Sequence, residues 1–287
     1  MKGSPGVNHR NCVIILIITA VLWSSGGVLI KQLHWNTMAI AGSRSLIASL
    51  LILAIMKKPH FNWTFAQVGG ALSYSATVIM FVVANKLTTA SNAILLQYTS
   101  TIYVAILGAL ILKEKVKPVD CLTIFTTLGG VALFFMGGLT LDKMLGNIVA
   151  AASGLSFAFL VIFMRKQKDG SPSESILLGN IITAVAGMPF MFRSAPGASD
   201  IANLLVLGVL QLGLPYFLYS IAVKGVTAIE AVIIPIIEPV LSPVWVLIFM
   251  GEVPGKLSLI GGGIVLGSLA LREVVVKYGM RKLQNTS

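Results

Sequence analysis

Residues 233–243 read Ile-Ile-Pro-Ile-Ile-Glu-Pro-Val-Leu-Ser-Pro, at the centre of an apolar run from Thr227 to Phe249. The run is 23 residues long and Glu238 is its twelfth. A helix of that length crosses a bilayer and carries Glu238 to mid-depth, where ionisable groups are expensive and mark function. Pro235, Pro239 and Pro243 follow one another at four-residue spacing. Each removes an N–H that would have bonded the carbonyl one turn back. The carbonyls of Ala231, Pro235 and Pro239 are therefore expected to be free. Such backbone persists at membrane depth only where protein buries it or it lines a wet cavity. A carboxylate beside a broken helix at mid-depth reads as the floor of a transport site.

The rest of the chain fits that reading. Of 287 residues, 56% are hydrophobic and 11% charged, against about 25% charged in soluble domains. Mean hydropathy is +0.91. Ten apolar segments of roughly span length follow one another with short connections: 12–33, 35–56, 66–86, 90–112, 118–138, 144–165, 174–193, 200–223, 227–249 and 256–277. The first ends in Lys31, lacks a small-residue cleavage site and reads as an uncleaved helix. Cys12 and Cys121 are the only cysteines and have no metal-ligand spacing.

The net charge of +11 reads as loop bias rather than as a nucleic-acid surface. With the N-terminus in the cytoplasm, 15 Lys and Arg fall on inner segments, Lys256 among them, and 5 at outer ends, namely Lys31, Lys86, Lys143, Arg193 and Lys224. Both termini are then cytoplasmic. Glu230 is placed near the outer end, as a partner for one of those lysines. Lysines at helix ends snorkel toward water.

The chain also repeats. Residues 86–133 slide onto 224–271 with a shift of 138, matching Lys86 to Lys224, Thr89 to Thr227, Glu114 to Glu252 and Gly129 to Gly267. Each half has five segments, an odd number, so the halves insert in opposite orientations. The expected fold is an all-α membrane protein of ten transmembrane helices in two inverted five-helix repeats, 1–140 and 141–287. Inverted repeats place the substrate site at their interface near the midplane.

These residues resemble the drug/metabolite transporter superfamily, specifically the ten-helix exporters with two EamA-type domains. The matching features are Trp23-Ser-Ser-Gly-Gly with Lys31, Arg44 in the second segment, and Lys113-Glu114 and Gly251-Glu252 after segments four and nine. The Gly-rich segments that follow and Glu238-Pro239 also match. The resemblance implies an alternating-access carrier with a central cavity, moving small metabolites, often amino acids. One departure stands out. Where such carriers often have a proline in helix four, this chain has Gln97-Tyr-Thr-Ser-Thr101.

Glu238 is a candidate for binding a substrate cation or for proton coupling, against a structural hydrogen-bonded acid. Arg44 holds its charge and is a candidate carboxylate clamp, against a tie to Glu238 or to backbone carbonyls. Gln97, Tyr98, Ser100 and Thr101 form a polar mid-segment patch, with Ser100 at the position matching Glu238. Gln211, Pro215 and Tyr219 share one stripe of segment eight, with Tyr216 beside it. Ser73, Tyr74 and Thr77 make a weaker version in segment three. Trp23 reads either as an aromatic cavity wall or as packing beside small residues. Each polar group has a packing alternative, since polar side chains commonly join helices in membranes. Gly263 and Gly267 read as internal helix packing. Pro215, Pro235, Pro239 and Pro243 are candidate hinges.

The function expected is a secondary transporter of an amino acid or related metabolite, an exporter in the plasma membrane of a bacterium or archaeon. It needs no cofactor or metal, its partners are the substrate and the bilayer, and the substrate gradient or protons supply the energy. A multidrug or organic-cation exporter and a passive facilitator are the alternatives. Monomer and homodimer are equally compatible with the sequence. An enzyme is disfavoured, since His9, His34 and His60 lie at segment edges, and no intramembrane aspartate pair or Gly-x-Ser-x-Gly elbow exists.

Overall fold

The computed structural model describes residues 8–134, 136, 143–241 and 255–284. Among them there is no strand. Thirteen α-helices follow in order: α1 (His9–Trp23), α2 (Gly26–Gln32), α3 (Thr37–Met56), α4 (Phe65–Leu87), α5 (Ala90–Gln97), α6 (Ser100–Leu107), α7 (Pro118–Phe134), α8 (Met144–Lys166), α9 (Pro172–Met191), α10 (Ala198–Val206), α11 (Leu214–Ala222), α12 (Ala228–Ile233) and α13 (Lys256–Gln284). Seven helical stretches are long and apolar enough to cross a membrane, and two shorter apolar helices, His9–Trp23 and Pro118–Leu133, accompany them. The ninth segment begins with α12 and runs on past the described residues. Pro243, Glu252 and the 140/141 boundary between the repeats lie outside the described residues.

Packing follows a pseudo-two-fold pattern. Segments two and seven pair through α3 and α9, and segments five and ten through α7 and α13. Segment four meets nine through α6 and α12. Crosswise, α4 packs on α8 as α1 packs on α11, and α4 on α9 as α3 packs on the π-helical stretch Leu207–Gly213. Each of these named pairs maps onto itself or onto another when the halves are exchanged. Small residues permit the closest approaches. A Cβ on Gly42 would fall 2.7 Å from Gly187 Cα, and one on Gly187 would fall 2.6 Å from Gly42 Cα.

Four segments break at mid-length. Segment one breaks at Ser24 and Ser25, whose hydroxyls bond back to the carbonyls of Val21 at 2.6 Å and Leu22 at 3.3 Å. Segment four breaks at Tyr98 and Thr99 without any proline. Thr99 Oγ1 donates to Leu96 O at 2.6 Å, and Thr101 Oγ1 donates to Tyr98 O at 2.9 Å. Such hydroxyls compete with the helical ladder and bend it. Hydroxyls thus do in the first half what proline does in the second, where Ile234–Ile237 tightens to a 3-10 turn. Segment eight carries its π-helical stretch just ahead of Pro215.

Three placements correct the sequence reading. Lys224 lies at the end of the bundle that holds His9, where its Nζ donates to Gly170 O at 2.8 Å. Lys31 and Lys86 lie at the other end, donating to Thr88 O and Leu33 O. Lys256 starts α13, whose later residue Arg272 reaches the His9 end, so Lys256 belongs with Lys31. The matched Lys86 and Lys224 thus lie at opposite ends, as an inverted repeat requires. Lys224 and Lys256 exchange places, and the charge bias keeps its size. Glu230 accordingly meets Arg272 at 3.6 Å and His9 at 3.3 Å rather than Lys31 or Lys86. Gly263 and Gly267 face outward, with no described atom within 4 Å of an added Cβ. The α7–α13 contact runs instead through Gly130, whose Cβ would fall 3.0 Å from Gly261 O.

Candidate functional site

A cavity of about 550 Å³, open mouth included, lies at mid-depth where the broken segments converge. Segment one contributes Trp23, and α3 contributes Arg44. The fourth segment supplies Gln97, Tyr98 and Ser100, and the eighth supplies Gln211, Leu212 and Tyr216. Val232, Pro235 and Glu238 come from the ninth. The shift of 138 carries Gln97 onto Pro235 and Ser100 onto Glu238, so both halves present the same register to the cavity.

Arg44 is 1% exposed. Its Nη1 donates to Gln211 Oε1 at 3.1 Å, and its Nε has no partner among the described residues. The π-helical stretch turns Gln211 inward, and Gly26 leaves room for it: a Cβ there would lie 2.5 Å from Gln211 Nε2. Trp23 Nε1 is likewise buried without a partner among the described residues. The cavity is therefore lined by two buried N–H donors that no atom among the described residues accepts from. Buried donors are seldom left unpaired, because the cost is the full desolvation of the group.

On the ninth segment, the carbonyls freed by proline find tyrosines. Tyr219 OH donates to Ala231 O at 2.9 Å. Tyr98 OH lies 2.9 Å from Pro235 O and 2.7 Å from Glu238 Oε2. A phenol has one hydrogen. When Glu238 carries a proton, it donates to the Tyr98 oxygen while Tyr98 donates to Pro235 O, and both contacts are met. When Glu238 is ionised, Tyr98 must choose between the two acceptors. The helix break and the carboxylate thus share one hydroxyl.

An aromatic group forms one wall of the cavity through Trp23, Phe157 and Tyr216. Trp23 sits 4.9 Å from Tyr216 and 5.4 Å from Tyr219, centroid to centroid. Phe157 meets Trp23 edge-on at 6.1 Å. Tyr74 packs edge-on against Tyr216 at 4.8 Å and donates to Asn180 Oδ1 at 3.0 Å.

Eight of the ten residues nominated for substrate contact line this cavity. Thr101 and Tyr219 do not, since both are fully buried with their hydroxyls committed to backbone carbonyls. Arg44 and Glu238 do not pair with each other. Pro215 and Tyr216 open α11 and Pro235 lies in the 3-10 turn. Lining residues that sequence reasoning left out are Val78, Phe81, Phe157, Leu212 and Val232, with Thr77 given little weight. Phe81 continues the i, i+4 stripe of Ser73 and Thr77, a signal that was available. Phe157 is an apolar residue in an apolar helix and carries none. No group of His, Cys, Asp and Glu among the described residues could hold a metal ion.

Residues 10–136 and 144–272 each match the EamA-like transporter family. The chain is 24% identical over 256 residues to an uncharacterized transporter of Archaeoglobus fulgidus, covering 89% of this chain and 94% of that one. It is 23% identical over 302 residues to an uncharacterized transporter of Clostridium kluyveri, covering 96% and 97%. One solved crystal structure shares the fold, with a TM-score of 0.79 at 16% identity over 94% of this chain and 98% of that one. Two matched family units, apolar helices of membrane-spanning length and transporter relatives agree: the chain is a multi-pass membrane transporter and belongs to the EamA-like family of the drug/metabolite transporter superfamily.

Proposed function

We propose that this chain is a secondary carrier for a small zwitterion, an amino acid or a close relative, which it exports across the plasma membrane by alternating access. The observation that carries this reading is that Arg44 and Glu238 face one mid-depth cavity, each held by a neutral side chain and neither by the other. Opposite charges buried apart suit a ligand that brings both counter-charges. Arg44 Nε and Trp23 Nε1 would donate to the substrate carboxylate, and Glu238 would take its ammonium. Gln97, Ser100 and Tyr216 border the remaining space, and Phe157 and Leu212 suit an apolar side chain.

In this reading the two five-helix halves, 1–140 and 141–287, rock about the cavity, with both termini cytoplasmic. Pro215, Pro235 and Pro239 loosen the helices that move, and Pro243 is assigned the same part. A proton gradient would supply the energy, coupled by exchange of the Glu238 proton for the substrate ammonium, with Tyr98 following that proton between its two acceptors.

The test is uptake of a labelled amino-acid panel into proteoliposomes, comparing wild type with Glu238→Gln, with and without a pH gradient. Saturable uptake that responds to the gradient in wild type alone supports a proton-coupled carrier. Equal, gradient-independent uptake by both makes the protein a facilitator. No uptake of any amino acid, with uptake of organic cations instead, moves the assignment to a cation exporter.

A further inference from the structure

Every ion pair that joins the two halves, among the described residues, lies at the His9 end. His9 of the first half meets Glu230 of the second at 3.3 Å, and Asp120 meets Arg272 at 2.9 Å. Glu114 takes Arg165 Nη2 at 2.6 Å and the Ala228 N–H at 2.7 Å. Arg272 is 3% exposed and lies between two carboxylates, those of Asp120 and Glu230. Each carboxylate also holds the start of its own helix: Asp120 Oδ2 accepts from Lys117 N at 2.9 Å, and Glu230 Oε2 from Thr227 N at 2.9 Å. Segments one, five, nine and ten are thereby tied at one point. A cavity opening toward this end has to part them.

The internal symmetry supplies a second copy for comparison. The shift of 138 carries Asn92 onto Glu230, His9 onto Asn147, Asp120 onto Ser258 and Phe134 onto Arg272. The structure keeps the contact while changing its chemistry. Where His9 meets Glu230 at one end, Asn92 Nδ2 donates to Asn147 Oδ1 at 2.8 Å at the other. Even the helix start is copied, with Thr89 accepting from Asn92 N as Thr227 accepts from Glu230 N. His9, Glu230, Asp120 and Arg272 thus have uncharged counterparts, whereas Glu114 falls on Glu252, outside the described residues.

We propose that these two sets are the paired latches of the transport cycle, ionic at the His9 end and amide at the Asn147 end, and that this inequality sets which way the carrier rests. The proposal relies on the alternating-access reading above. A hydrogen bond between charged groups is roughly twice as strong as one between neutral groups. The His9 end is then the harder to open, and the resting cavity faces the Asn147 end. Removing the charge from the buried centre of the ionic latch should release it.

The experiment reads both ends at once in the full chain in lipid nanodiscs. Cys12→Ala and Cys121→Ser remove the native thiols. One pair of spin labels on Lys115→Cys and Lys168→Cys spans the His9 end, and another on Gln32→Cys and Met144→Cys spans the other. The background variant should give a single short distance at the His9 end. Arg272→Gln should raise the long-distance population there at least about fivefold, a shift well within reach of a lost charged contact. The Gln32–Met144 distance should shorten in the same molecules. A triple exchange to the counterpart residues, Asp120→Ser, Glu230→Asn and Arg272→Phe, should bring the two ends toward equal opening, and serves if Arg272→Gln fails to fold. Folded variants whose distances match the background overturn the latch. Opening at the His9 end without closing at the other upholds the latch and overturns alternating access.

Discussion

Arg44 and Glu238 line the same cavity and leave each other alone: Arg44 is held by Gln211 at 3.1 Å and Glu238 by Tyr98 at 2.7 Å. A buried ion pair would have filled the cavity with its own counter-charges. Two separated charges instead create a demand for a ligand. If Arg44 takes a substrate carboxylate, Arg44→Gln should raise KM for a zwitterion roughly 10- to 100-fold, matching the about 1.5–3 kcal/mol of a hydrogen bond to a charged group. Arg44→Lys should recover only part of this, because a lysine lacks the planar fork. The corresponding amine without a carboxylate should be transported equally by wild type and variants. Uptake kinetics for such a matched pair decide it. Equal losses for both compounds would make Arg44 structural.

Tyr98 serves two acceptors with one hydrogen, so its removal should separate coupling from exchange. Tyr98→Phe leaves Pro235 O without its donor and Glu238 without its partner in either protonation state. We expect uptake driven by a pH gradient to slow about tenfold, the scale of one unsatisfied buried group. Counterflow exchange, in which Glu238 need not change its proton, should fall much less. Parallel measurement of the two modes is the check, and an equal loss in both would remove Tyr98 from the proton step.

Tyr219 gives the contrasting case. Its hydroxyl holds Ala231 O at 2.9 Å behind the cavity wall and does not line the cavity. Tyr219→Phe orphans a buried carbonyl and should cost about 1–3 kcal/mol of stability. KM should stay within a factor of two or so, on the reasoning that the group touches no substrate. Thermal unfolding in detergent beside transport kinetics tests both halves of this statement, and a raised KM at unchanged stability would put Tyr219 back in the site.

Charge and proline made the ninth segment readable in the sequence, since each is rare at membrane depth and each frees or demands a partner. The three free carbonyls follow from proline chemistry alone, and two of them are found capped by tyrosines. What supplies the caps was not readable, because Tyr98 and Tyr219 are joined to them only by the packing of other segments. The break in segment four was hidden for another reason. A Tyr-Thr-Ser-Thr run looks like polar lining, and only the structure shows its hydroxyls turned back on the helix. Phe157 carries no signal against an apolar background, whereas Phe81 sits on the stripe of Ser73 and Thr77. Lys224 lies at the opposite end from its match Lys86, as an inverted repeat sends equivalent residues to opposite ends.

Close helix contact distinguishes glycines that look alike in sequence. A Cβ on Gly42 meets Gly187 backbone at 2.7 Å, whereas one on Gly267 meets no described atom within 4 Å. Gly42→Ala should destabilise the fold by about 1–3 kcal/mol, as overpacking does. Gly267→Ala should be neutral or stabilising by up to about 1 kcal/mol from helix propensity. Unfolding temperatures of the two variants rank them. A destabilised Gly267→Ala would mean that another chain or an undescribed segment covers that face.

Gly26 connects the broken first segment to the cation in the cavity. An alanine there would place its Cβ 2.5 Å from Gln211 Nε2 and 2.9 Å from Gln211 Cγ. Gln211 is buried, so its side chain has to swing as a whole, and Arg44 Nη1 loses its acceptor. Gly26→Ala should therefore weaken carboxylate-bearing substrates about as much as Gln211→Ala does, on the order of tenfold in KM for one lost hydrogen bond to a charged group. Because both changes act through one contact, the double variant should be no worse than either alone, the non-additivity expected of residues in a shared network. A double-mutant cycle on KM measures this directly. Additive losses would show that Gly26 matters for the bend of its own helix and not for holding Gln211 against Arg44.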